Sequence, residues 1–512
     1  MNAYAISLSK YANTGILAAF VILAFLALVM KGPRTRRVIV VVQRILLTAF
    51  LVNANCTIAW LLKGAEGRRL YLLCAMEVLF LLSFMVLYKI VHEMADMLLF
   101  NNICMLLSIG FVTISRIAYF GNLEDTAYRM NEPIKQFVIA SAGLLAMLII
   151  PFFRRFFDSM RHLGLIFGVL GIVILSGVLL LSAATNGAQI TYTIAGFTFQ
   201  PSEFVKILYL LMLAGILGGE VTKPKVVMVT IMAILHVGIL VLSRDLGSAL
   251  IFFMVYLMMV FFATGRWSIF FGITILGALG AVACFFLFYH VRIRVLIWQD
   301  PFAYIDESGY QICQSLFALS YGGLWGAGLT QGAPTRIPFV ESDFIFSAIV
   351  EEMGLIFGIC LLLLCINCFL RILLLSSSYS NRFFQMFTYG AAVCYIFQTF
   401  LTVGGETKFI PLTGVTLPLV SYGGSSVLST LIMLGIIEMI YILHDERTAR
   451  FLERYEQELQ AESAGSYTGD YPDYPDDSTD QQREYVHDSY SDTLQEEFPV
   501  NGVSEEGIFD DY

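Results

Sequence analysis

The chain is dominated by thirteen apolar runs: 14–30, 38–62, 70–90, 97–120, 136–153, 163–182, 203–218, 226–242, 246–264, 268–290, 344–370, 383–403 and 425–443. A helix needs about 20 apolar residues to cross about 30 Å of hydrocarbon. Inside that hydrocarbon every backbone polar group must find its partner within the protein, so such runs fold as helices. The expectation is an all-α polytopic membrane protein with about 13 transmembrane helices. Composition agrees, with 58% hydrophobic and 14% charged residues and a mean hydropathy of +0.75. A water-soluble chain carries about 25% charge. A cytosolic enzyme, a nucleic-acid binder and a secreted disulfide scaffold are thereby excluded. The run 14–30 lacks a basic n-region and a small-x-small cleavage site, so it reads as a span rather than a signal peptide.

The net charge of −9 is unevenly divided. Residues 445–512 hold 20 acidic and 4 basic side chains, and residues 1–444 hold 27 basic and 20 acidic. A mildly basic membrane body thus carries an acidic tail. With little aliphatic content after about residue 455, residues 446–512 are expected to be a disordered tail, solvated or docked on a cytoplasmic partner. If the C-terminus is cytoplasmic, the inner segments hold 15 Lys and Arg in 55 residues and the outer segments 11 in 132. The enrichment of cations inside favours that orientation. The loop 63–69, with Lys63, Arg68 and Arg69, runs against it. Two outer loops are long, 183–202 and 291–343. The second carries Gly322, Gly323, Gly326, Gly328 and Gly332 and reads as a folded lid or re-entrant segment.

Charges within or beside spans invite functional hypotheses. Glu203 and Lys206 share a helix face at i and i+3, as a self-neutralising pair or as substrate contacts. Arg244 and Asp245 sit in a short turn, where the cation would meet a phosphate or anchor the interface. Glu351 and Glu352 lie about two turns into an apolar run and require protein or water beside them. Asp343 closes the glycine-rich loop and opens the helix FIFSAIVEEMG. Its alternatives are helix N-capping, a common task for Asp, and a general base at the outer membrane face. His236 and His290 are isolated. Cys360, Cys365 and Cys368 share one apolar run and read as packing residues. No zinc, catalytic-triad or ATPase motif occurs. The residues alone fit a transporter as well as an enzyme.

Five strings in order resemble the SEDS family (shape, elongation, division and sporulation), whose members include FtsW, RodA and SpoVE. They are FTFQPSEFVKI at 197–207; DLGSAL at 245–250; DPF at 300–302 with GYQ at 309–311 and GGLWGAGL at 322–329; SDFIFSAIVEEMG at 342–354; and IPLTGVTLPLVSYGGSS at 410–426, which includes Ser421. The resemblance covers about 94–445. It implies a ten-helix core there, with residues 1–93 as three additional N-terminal helices.

It also implies a peptidoglycan glycosyltransferase of the bacterial cytoplasmic membrane that polymerises lipid II at the outer face, with a class B penicillin-binding protein as partner. The family's essential aspartate falls on Asp343, as base for the acceptor hydroxyl. An Asp at a helix N-terminus should have a lowered pKa, which apolar surroundings would offset. Cations or a divalent ion, Mg or Mn, would receive the pyrophosphate, and no covalent cofactor is implied. Arg244, Arg336, Lys408 and Lys206 are the candidate cations, with Glu203, Glu341 and Ser421 as further substrate contacts. The sequence departs from the family pattern at Phe339, Glu341, Gln189, Thr191 and Thr413. A lipid II flippase or other lipid-linked transporter, and a non-catalytic scaffold for a transpeptidase, remain alternatives.

Overall fold

The computed structural model describes residues 2–30, 32–62, 64–120, 131–184, 192–194, 197–379 and 381–463. Its helices are α1 (Asn2–Val29), α2 (Pro33–Leu62), α3 (Gly64–Val91), α4 (Met97–Phe120), α5 (Glu132–Ile149), α6 (Arg154–Met160), α7 (Gly164–Ala184), α8 (Pro201–Leu217) and α9 (Lys223–Leu242). They continue with α10 (Leu246–Thr264), α11 (Trp267–Leu287), α12 (Tyr289–Gln299), α13 (Tyr310–Gly322), α14 (Ile345–Met353), α15 (Leu355–Ser377), α16 (Arg382–Glu406) and α17 (Gly424–Ser463). Two strands, β1 (Tyr192–Ile194) and β2 (Phe197–Phe199), pair antiparallel with Tyr192 opposite Phe199.

Among the described residues, twelve helices are long and apolar enough to cross a membrane. The run at 203–218 is the exception. It folds as α8, only 17 residues long, and 14 of them are buried. Protein rather than lipid surrounds it, which allows it to carry Glu203 and Lys206. At the other extreme, α11 has no buried residue. In water such a helix would be untenable, but hydrocarbon solvates its side chains. Where helices cross closely, small residues set the distance. A Cβ on Gly215 of α8 would stand 3.0 Å from the Gly164 Cα at the start of α7, so only glycines permit that approach.

Two expectations require correction. The run at 344–370 is not one helix, because α14 and α15 are separated by Gly354 at φ 91° and ψ 166°. The backbone groups freed by this break are taken by the glycine-rich segment. Ala327 and Gly328 N–H donate to the Glu351 and Glu352 carbonyls at 2.9 and 2.8 Å. Leu355 N–H donates to the Gly323 carbonyl at 2.9 Å. A Cβ on Gly326, at φ 77°, would collide with the Glu352 carbonyl. The glycines of 291–343 therefore dock an ordered segment containing α12 and α13.

The second correction concerns the tail expected to be disordered from 446. Helix α17 continues to Ser463. Extending a formed helix adds one hydrogen bond per residue without a new nucleus. Glu446 also pairs with Arg154 at 3.1 Å and with Arg450 at 3.4 Å. Residues 464–512, the rest of that tail, lie outside the described residues.

The first three helices pack onto the remaining bundle. Helix α2 lies against α1, α3 and α4, and α1 also lies against α15. Helix α1 reaches the glycine-rich segment directly: Lys10 Nζ donates to the Gly326 carbonyl at 2.8 Å, and the Tyr11 and Trp325 rings meet edge to face at 5.2 Å. Lys10→Met should therefore raise amide hydrogen exchange in residues 324–333 by about tenfold, the effect of one charge-assisted hydrogen bond. Unchanged exchange would show that α1 does not hold this segment.

Candidate active site

The glycine-rich segment is clamped by the carboxylates at the end of α14. Glu352 Oε1 accepts from Arg116 Nε at 2.8 Å and from Gly332 N–H at 3.1 Å. Glu351 Oε1 accepts from Ala333 N–H at 2.7 Å. Arg116 Nη2 donates to the Gly332 carbonyl at 2.9 Å. These bonds fix the chain that runs through the turn at 334–336 to Asp343.

At Asp343 the capping alternative fails. The residue at the N-cap of α14 is Phe344, and it makes no side-chain capping bond. The capping carboxylate is Glu406, from the far end of α16. Its Oε2 accepts from Ser347 N–H at 2.7 Å and Ser347 Oγ at 2.8 Å, and its Oε1 from Phe346 N–H at 3.4 Å. Ser315 ties the same corner, bonding to Ser347 Oγ at 2.7 Å and to the Glu406 carbonyl at 2.9 Å.

The Asp343 carboxylate is consequently free of the helix and partly exposed. Burial pushes its pKa above the ordinary aspartate value, against the pull of the Ser342 hydroxyl and Arg294, and Glu341 adds to the rise. The lowering anticipated from a helix N-terminus does not occur, because Glu406 occupies that terminus.

Arg294 of α12 is the cation nearest in electrostatic terms and interacts with both Asp343 and Asp245. Its Nη1 donates to the Leu412 carbonyl at 3.0 Å, and one turn on, Trp298 Nε1 donates to the Lys408 carbonyl at 3.1 Å. Helix α12 is thus laid along 408–412, and the chain then places Gly414 against Asp343 Oδ2. Sequence reading passed over Arg294 because VRIRV resembles any basic loop. Its signal is the i, i+4 spacing to Trp298, which puts both on one helix face.

The C-terminal signature forms the floor. Ser421 Oγ accepts from Leu417 N–H at 2.9 Å and donates to the Ser342 carbonyl at 2.6 Å. Tyr422 N–H donates to the Glu341 carbonyl at 2.8 Å. The Ser421 hydroxyl is therefore engaged by backbone. Glu203 and Lys206 pair with each other at 2.8 Å, both nearly buried. Ser429 Oγ donates to Glu203 at 3.0 Å and Lys206 donates to Gln398 at 2.8 Å. Gln398 in turn donates to the Thr416 carbonyl at 3.0 Å. Asp245 caps α10 through Ser248 N–H at 3.1 Å and accepts from Ser202 Oγ at 3.0 Å.

The structure brings Asp245, Glu341, Arg294 and Asp343 into one electrostatic neighbourhood. Arg244 joins it through His290, which both Arg244 and Arg294 depress in pKa after burial itself. Arg336 is exposed and faces Glu351 instead. Arg244 and Lys408 hold left-handed backbones, φ 63° and 60°, a strain that concentrates at functional loops. Gln189 and Thr191 lie outside the described residues. Among the described residues no group of three or more His, Cys, Asp or Glu is placed to hold a metal ion.

Residues 96–446 match the family model FTSW_RODA_SPOVE, described as cell cycle protein. The chain is 35% identical over 365 residues to a Mycobacterium tuberculosis protein named peptidoglycan glycosyltransferase RodA, covering 67% of this chain and 77% of that one. It is 31% identical over 282 residues to the probable peptidoglycan glycosyltransferase FtsW of Aliivibrio salmonicida, covering 51% and 68%. A chain from a structure titled as the coordination of polymerization and crosslinking by a peptidoglycan synthase complex superposes with a TM-score of 0.58 at 27% identity. That likeness covers 68% of this chain and 98% of the other. The rod shape determining protein RodA of Thermus thermophilus superposes at 0.50 with 25% identity, covering 68% and 96%.

If Glu406 caps α14, Glu406→Ala should destabilise the detergent-solubilised protein by about 1–3 kcal/mol through unpaired N–H groups, and Asp343→Asn should not. Thermal melts that rank the two variants the other way would return the cap to Asp343.

Proposed function

Because the chain belongs to the FtsW, RodA and SpoVE family of cell cycle proteins, we propose that it is a peptidoglycan glycosyltransferase that polymerises lipid II with Asp343 as base. It is a multi-pass membrane enzyme. The observation that carries the catalytic assignment is the release of the Asp343 carboxylate from capping by Glu406, which leaves it partly exposed opposite Arg294.

In this reading the Asp343 carboxylate takes the proton of the acceptor sugar's 4-hydroxyl. The resulting oxygen forms a bond to C1 of the donor sugar. The C1–O bond to undecaprenyl pyrophosphate breaks, and the pyrophosphate leaves with the electron pair. Inversion at C1 converts an α-linked donor into a β-1,4 product. The leaving group needs cations more than a proton, since pyrophosphate is already a good leaving group. Arg294 is best placed, with Arg244 beside it and Lys408 along the same segment. A raised carboxyl pKa favours the base, because a general base works best when its pKa approaches the working pH.

The buried Glu203–Lys206 pair supports the enzyme reading over transport. The two charges neutralise each other at 2.8 Å and are bonded to Ser429 and Gln398, which is the organisation of a scaffold rather than a path. The likeness to a chain of a peptidoglycan synthase complex supports a cross-linking partner of the class B penicillin-binding type. The positive-inside count supports a cytoplasmic C-terminus.

The test is lipid II polymerisation by detergent-purified protein, alone and with a co-purified class B penicillin-binding protein. Polymer made in detergent cannot arise from flipping. Asp343→Ala and Asp343→Asn should lower the rate by about 10²–10⁴-fold, the usual worth of a general base. Wild-type rates from both variants would remove Asp343 from the chemistry. The acid limb of kcat/KM should lie above the ordinary aspartate value of about 3.9. Since Arg294 pulls the Asp343 pKa down, Arg294→Gln should move that limb to higher pH. An unmoved limb would separate Arg294 from the base.

A further inference from the structure

At the end of α4 remote from Arg116, a cavity of about 200 Å³ opens between α1, α2, α4, α15 and α17. Its charged lining is Arg36, Asp96, Arg371 and Glu438, and Leu28 and Leu374 form an apolar side. Asp96 and Arg371 satisfy each other through bonds of 2.7 Å to Oδ1 and 3.0 Å to Oδ2. Two charges remain. Arg36 stands half-buried in the first turn of α2, its Nε donating to the Met30 carbonyl at 3.2 Å. Glu438 is fully buried. Its Oε2 accepts from Asp96 N–H at 3.2 Å, and its Oε1 is buried with no hydrogen-bond partner among the described residues.

A buried carboxyl oxygen without a hydrogen-bond partner costs free energy, and Glu438 lines the cavity, so the cavity calls for a donor beside it. The cation at the outer end calls for an anion, and Arg34 and Arg37 of the same turn, both largely exposed, reinforce that demand. The complement is a zwitterion, with an ammonium leading and a phosphate following. The surroundings indicate its source. The cavity lies where the apolar span α1 ends and α2 begins, as at a membrane interface, and Leu374 on its apolar side is 53% exposed.

We propose that this cavity binds the headgroup of an aminophospholipid, with the ammonium on Glu438, the phosphate on Arg36 and the acyl chains along Leu28 and Leu374. Because Arg36 and Leu28 belong to the three N-terminal helices, and Asp96, Arg371 and Glu438 to the matched family region, the lipid joins the two parts.

The 512-residue chain in detergent would be titrated with phosphatidylethanolamine, phosphatidylcholine and phosphatidylglycerol, and bound lipid counted by native mass spectrometry. Phosphatidylethanolamine should bind about tenfold more tightly than phosphatidylcholine, whose trimethylammonium has no N–H to give Glu438, the worth of one charge-assisted hydrogen bond. Glu438→Gln should abolish that preference. Arg36→Gln, at the half-buried rim, should weaken all three lipids alike while keeping it. Equal binding of the ethanolamine and choline lipids to the wild type would overturn the proposal. So would a preference that survives Glu438→Gln, which would mark Glu438 as a neutral acid. Displacement of the lipid by soluble phosphoethanolamine would overturn a membrane source for the ligand.

Discussion

A helix broken inside a membrane protein must find new partners for the backbone groups it releases, and the break at Gly354 decides where everything near Asp343 stands. The freed carbonyls of Glu351 and Glu352 are met by Ala327 and Gly328, and the side chains of the same two glutamates hold Gly332 and Ala333. Two adjacent residues therefore bind one segment at four points. Arg116 neutralises Glu352 and holds the Gly332 carbonyl. The segment fixed in this way delivers Asp343 to the start of the very helix whose end holds it. The arrangement closes on itself, which is how a long connection in an apolar surrounding becomes rigid enough to position a carboxylate.

Three ion pairs of the bundle share one arrangement. Arg116 with Glu352 and Lys206 with Glu203 are buried, Arg371 with Asp96 is partly buried, and each is directly paired. Such pairs offset the desolvation of their members without adding much stability. Asp343 and Arg294 interact, yet no direct salt bridge joins them among the described residues. Arg294 instead spends a hydrogen bond on the Leu412 carbonyl. Here opposite charges are kept apart, at a place where a reacting group would need room between them.

Much of this was legible in the sequence, and the failures have physical causes. The apolar runs give the helices because hydrocarbon permits few alternatives. The break at Gly354 was invisible because α14 and α15 are both apolar, and composition does not report a single left-handed residue. Asp343 stood out because its motif is local, but the competing role of N-cap could not be dismissed. The group that takes that role, Glu406, lies about sixty residues away and reads as a charge in an interfacial turn. Arg294 was overlooked for the same reason, its partners being Leu412 and Asp343. Ser421 stood in a recognised string, yet its hydroxyl proves to be bonded to backbone. Residue type and spacing reveal candidates, whereas contacts across the chain assign their tasks.

Helix α11 has no buried residue, and Phe288 is all that separates it from α12, the helix that carries Arg294. It packs on α10 and α12, and lipid around the rest of its surface would share in setting its inclination. An apolar helix adjusts its tilt to the thickness of the hydrocarbon around it, and here a single extended residue, Phe288, joins it to the helix that carries Arg294. Membrane thickness would in this way reach the site through two helices joined by one residue.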